Sequence, residues 1–136
     1  MTARRDRLSR LLAIRNVALR AASRDLGRAI GSTAAITALA RRIGELQVEL
    51  TPTVVLSTGQ QLKATAATRN GLRLAAARQL ARLDAATAHQ ADATRAVQRD
   101  RAATEAVERA IERRDAEARE VVARLVGDQP ARKLGR

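Results

Sequence analysis

The stretch ELTPTVVLSTGQQ, residues 49–61, interrupts a chain that is otherwise patterned for helix. Pro52 disfavours the helical conformation at Thr51 and brings no backbone donor. The β-branched run Thr53–Val54–Val55 adds little helix propensity. A new start follows at once: Ser57 or Thr58 can cap, with Gln60 or Gln61 three residues on as the far half of a capping box. One helix therefore stops near residue 50 and another begins near residue 58.

Working back from this break, the aliphatic residues Leu8, Leu12, Leu19, Ala22, Leu26, Ile30, Ile36, Leu39, Ile43, Leu46 and Leu50 recur mostly at steps of 3, 4 or 7, the spacing of one helical stripe. Working forward, the same steps join Leu62, Leu72, Ala76, Leu80, Leu83, Ala86, Ala93, Val97, Thr104, Val107, Ile111, Ala118, Val121 and Leu125. Gly127, Asp128 and Pro130 supply the exit. The pattern predicts helix one over 3–50, a turn over 51–57, helix two over 58–127 and a flexible tail over 128–136. At 1.5 Å per residue, the second helix spans about 105 Å. A short connection between two amphipathic helices makes the fold class all-α, a long antiparallel two-helix coiled-coil hairpin. Residue-for-residue pairing across the turn sets helix one against 58–105 and leaves 106–127 projecting beyond it.

Composition agrees. The 136 residues include no Phe, Tyr, Trp or Cys, one Met, one His and 31 Ala. Aromatic anchors, which dominate compact cores, are absent, and a core of Leu, Ile, Val and Ala suits a slim helix-on-helix seam. The lack of Cys excludes disulfides and thiolate chemistry. The longest uncharged stretches are too short or too rich in Ala and Thr to span a membrane. Gly27, Gly31, Gly44 and Gly71 fall within helical patterns and mark either soft points or close packing.

The formal net charge is +12, with 24 Arg among 26 basic residues, so acidic surfaces attract the chain. Residues 1–50 hold ten basic and four acidic groups; residues 101–136 hold nine and seven. The opening RRDRLSRLLAIRNVALRAASRDLGRA, residues 4–29, resembles an Arg-rich targeting peptide. However, Asp6 and Asp25 interrupt it, and its stripe continues in register to Leu50. Nucleic-acid binding has charge in its favour, but there are no aromatics for stacking and no localised basic region. His89 stands alone, with Asp92 as its nearest acid. No catalytic triad order, phosphate loop or metal-ligand spacing occurs, so no catalytic, cofactor or metal residue is expected.

Three stretches carry a more specific likeness. RLSRLLAIRNVALRAASRDLGRA (7–29) has Arg7, Leu8, Leu11, Leu12, Ile14, Arg15, Ala22, Leu26 and Ala29 at the positions typical of an N-terminal family pattern. QLARLDAATAHQADATRAV (79–97) and ERAIERRDAEAREV (108–121) follow in the family's order and spacing. Together they resemble the flagellar FliJ family of type III export proteins, related to injectisome proteins of the YscO type. The resemblance implies a non-enzymatic cytoplasmic coiled coil at the flagellar base, peripheral to the inner membrane. Its implied partners are the export ATPase FliI, the export gate FlhA and export chaperones, with no specific nucleic acid and no cofactor. For the ATPase contact it points to Arg4, Arg5, Arg7, Arg113 and Arg114, and for the gate contact to Leu46, Leu50, Leu83 and Ala86. The family's gate surface uses aromatics, and Gln79 stands where one often occurs. From the residues alone, a basic coiled-coil nucleic-acid-associated protein and a generic dimeric scaffold are the alternatives.

Overall fold

The structure is a computed structural model that describes residues 2–50 and 58–128. It contains α1, Thr2–Glu49, and α2, Gly59–Gly127, and the described residues form no strand. The chain is an all-α helical hairpin. The expected turn over 51–57 and the tail from 129 onward lie outside the described residues; Asp128 is described and continues the last turn, its N–H donating to Arg124 O at 2.9 Å.

The start of α2 follows the capping chemistry of its sequence. Thr58 is the cap: the Gln61 N–H donates to Thr58 Oγ1 at 3.3 Å, and the Thr58 N–H donates to Gln61 Oε1 at 3.0 Å. Two donors that the first turn leaves without helical partners are thereby satisfied reciprocally.

The charges of α1 oppose its own dipole. Its first turn has no acidic residue and its last no basic one, while Arg4 and Arg5 sit at the N-terminal end and Glu45 and Glu49 near the C-terminal end. The favourable arrangement is the reverse, contributing about 0.3–1 kcal/mol per charge. The C-terminal end is served from the neighbouring helix instead: Arg69 Nε donates to Leu50 O at 3.1 Å.

The chain divides into two compact units, one of Met1–Ala22 with Val97–Arg136, the other of Ser23–Ala96. In the first, Leu8, Leu12, Leu19 and Ala22 of α1 turn inward, as do Val97, Asp100, Thr104, Val107, Ile111 and Ala118 of α2. In the second, Leu26, Ala29, Thr33, Ile36, Ala40 and Ile43 turn inward with Leu72, Ala76, Gln79, Leu83, Ala86, Gln90 and Ala93. The inward positions of each unit alternate largely by three and four residues, the heptad spacing of a coiled-coil seam. In each unit the two stretches run antiparallel.

Three sequence expectations are corrected. Ile30, Leu39 and Leu80 were placed in the stripe, yet they are 48%, 46% and 61% exposed. Ala29, Ala40 and Gln79 take the inward positions beside them. Adjacent positions point about 100° apart, so the rotation of each helix decides which one faces its neighbour, and ranking positions by hydrophobicity chose the wrong one. Leu62, also assigned to the stripe, is 54% exposed. The pairing register differs as well. Arg69 meets Leu50, and Arg5 meets Asp115, so α1 does not pair from residue 58 upward. Thr104 and Val107 are buried, and the expected overhang of 106–127 shrinks to the residues after Ala118. The residues of α2 before Arg69 take up the difference; all except Thr65 are exposed.

The glycines are open positions. A Cβ built at Gly27, Gly31, Gly44 or Gly71 meets nothing within 4 Å, which excludes close helix–helix approach as their reason.

Candidate partner-binding groove

Within the first unit, the opening turns of α1 lie beside the closing turns of α2. Arg5 Nε sits 3.5 Å from Asp115 Oδ1. Around that pair runs a groove of about 720 Å³ lined by Ala3, Arg4, Arg5, Arg7, Arg114, Asp115, Glu117, Ala118 and Val121. Its floor is aliphatic and its rim mostly cationic. Asp115 is engaged by Arg5, whereas Arg4, Arg7 and Arg114 make no ion pair among the described residues.

Beyond the groove, α2 continues with no part of α1 over it. The seam spacing that runs through Ala118 reaches Val121 and Leu125, and these are 45% and 67% exposed. Val122 and Val126 flank them, also exposed. Charge is unequal between the two sides. Residues 2–22 carry six Arg against one Asp, and residues 97–128 carry seven Arg against eight acids.

Of the five arginines expected to form one contact, the structure gathers Arg4, Arg5, Arg7 and Arg114 at this groove. Arg113 points elsewhere, into a shallow hollow with Ala106, Arg109 and Glu112. Adjacent residues on a helix point about 100° apart, so Arg113 and Arg114 cannot share a face.

The four gate-contact candidates do not form one surface. Leu46, Leu50, Leu83 and Ala86 are all half-buried, turned toward the facing helix rather than outward. Leu50 is level with Arg69, and Leu83 lies 14 residues further along α2, a rise of about 20 Å. The exposed aliphatic residues on this part of α2 are Leu74 and Leu80. Gln79 is buried between them, and its Oε1 has no hydrogen-bond partner among the described residues. Neither the outward Leu74 nor the polar seam position was legible from hydrophobic spacing.

His89 is exposed, and Asp92 near it pairs with Arg95 at 3.4 Å. Among the described residues no group of three or more His, Cys, Asp or Glu side chains could hold a metal ion. No helix among them is long and apolar enough to cross a membrane. No family model matches this chain, and no curated protein or solved structure matches it either.

Proposed function

We propose that the protein is a FliJ-like component of a type III export apparatus, a coiled-coil hairpin that engages an export ATPase ring in the manner of a shaft. The observation that carries this reading is the convergence of Arg4, Arg5, Arg7 and Arg114, contributed by both helices, around one aliphatic-floored groove. Arg4 and Arg5 sit at the positive end of the α1 dipole, where they weaken the helix. A partner surface of opposite charge accounts for that placement. Electrostatic attraction of this kind acts chiefly on the rate of encounter and weakens as salt screens it. Contacts with the export gate FlhA and with export chaperones belong to the same proposal. Its seat would be at the inner face of the membrane, with no enzymatic step of its own.

The test is to titrate the protein into its cognate export ATPase and follow ATP hydrolysis and ring assembly. Stimulation is expected at substoichiometric ratio. Joint reversal of Arg4, Arg5 and Arg7 to Glu should abolish it while helicity by circular dichroism is retained. An ATPase that neither binds the protein nor responds to it sinks the proposal.

A second reading has one observation in its favour. Residues 59–83 of α2 carry Lys63, Arg69, Arg73, Arg78 and Arg82 and no acid, and four of these five are exposed. A segment with basic residues and no acid attracts a phosphate backbone. Non-specific binding of this type falls steeply with rising salt. Sequence-selective DNA binding that survives at physiological salt would put this reading first.

A further inference from the structure

We infer that the groove between the first turns of α1 and residues 114–121 of α2, together with the bare face that continues to Val126, docks an acidic amphipathic helix of a partner protein. The bound helix would lie along α2 as a continuation of the seam that α1 leaves.

Geometry fixes the shape of the occupant. α1 begins at Thr2, and its first residues flank α2 at Asp115 and Ala118. Past that level the seam face of α2 persists through Val121 and Leu125 but has nothing opposite it among the described residues. A half-seam with heptad spacing is complementary to another helix, whose apolar residues fill the spaces between Ala118, Val121 and Leu125.

Charge fixes the chemistry. Among the described residues, Arg4, Arg7 and Arg114 line the groove without ion partners, against one acid, Glu117, in the same state, so a helix with Glu or Asp flanking its apolar stripe and lying toward the arginines satisfies them. The same charges argue against other occupants. A second copy docking by the same face would bring these arginines against each other. The chain's own residues 129–136 carry Arg132, Lys133 and Arg136 and no acid.

For the identity of the natural partner we rest on the proposed function; the groove's chemistry stands without it. The probe is a designed peptide of three heptads with Leu at both seam positions and Glu flanking them, titrated into the full chain near physiological salt. A peptide of identical composition in scrambled order and a version with Lys replacing Glu are the comparisons.

Saturable binding of the acidic amphipathic peptide alone is expected. It should weaken by about tenfold or more in Arg4→Glu/Arg7→Glu/Arg114→Glu, and by a similar factor in Val121→Ser/Leu125→Ser. The mutated residues are exposed, so helicity should not change.

Equal binding of the scrambled peptide overturns the inference in favour of charge alone. Binding to phosphatidylserine vesicles that needs these residues, with none to the peptide, assigns the face to a membrane. Self-association abolished by Val121→Ser/Leu125→Ser assigns it to a second copy, and peptide binding that appears only after removal of residues 129–136 assigns it to the chain's own end; each overturns the inference. If the peptide binds and the export ATPase does not respond, the ATPase reading fails and the groove stands. If the ATPase responds and the peptide does not bind, the groove assignment fails and the export reading stands.

Discussion

Arg5 of α1 and Asp115 of α2 face each other across the first unit at 3.5 Å, and this pair marks the register of its two helices. Register and stability are separate matters here. The Arg5 side chain is 66% exposed and that of Asp115 35%, so water screens their attraction. Exposed ion pairs typically contribute about 0–1 kcal/mol. A double-mutant cycle with Arg5→Ala and Asp115→Ala should return a coupling below about 1 kcal/mol in urea unfolding, smaller still in high salt. A coupling of several kcal/mol would mean that the pair is far less hydrated than its exposure indicates.

Gln79 offers a route to a more stable protein. It occupies an inward position of the second unit, 9% exposed, with Oε1 unsatisfied. A buried polar group without a partner costs about 1–3 kcal/mol. Gln79→Leu keeps comparable volume and removes that cost, so the urea midpoint should rise. Gln79→Ala removes the polar atom but leaves a void, and should gain less or lose stability.

The contrast between Ile43 and Ile30 tests which residues form the seam. Ile43 is 8% exposed and Ile30 48%. Truncating a buried Ile to Ala costs about 2–5 kcal/mol. Ile43→Ala should therefore destabilise strongly, whereas Ile30→Ala should change stability by less than about 1 kcal/mol. Equal losses at both positions would restore the stripe read from hydrophobicity.

Thr58 should matter more than its exposure suggests. Removing an N-cap side chain costs about 0.5–2 kcal/mol. Thr58→Ala leaves the Gln61 N–H without its acceptor. Amide exchange at Gln61 and its neighbours should accelerate, while exchange around Val107 stays slow.

Gly31→Ala should stabilise. The site has space for a methyl group, and Ala is favoured over Gly within a helix by about 1 kcal/mol. Thermal unfolding monitored by circular dichroism at 222 nm is the readout, and a lower midpoint would show that the position needs the freedom of glycine.

Much was decided locally and could be read from sequence. The break at residues 49–61, the Thr58–Gln61 box and the stop at Gly127 depend on residues within a few positions of each other, so propensity and capping chemistry place both helices within a residue or two. The absence of aromatics likewise dictated a thin seam. What the chain could not reveal by itself was the register, because sliding one helix along another by a heptad leaves its pattern unchanged. Only the folded pairing set Leu50 level with Arg69 and Arg5 with Asp115, shortening the expected overhang to the residues after Ala118. The same pairing turned Ala29 and Gln79 inward in place of Ile30 and Leu80, because adjacent positions point about 100° apart and only one of each two can face the other helix. It also chose among the five arginines: Arg114 joined Arg4, Arg5 and Arg7, and Arg113, one residue away, was turned to another face by the helix's own rotation.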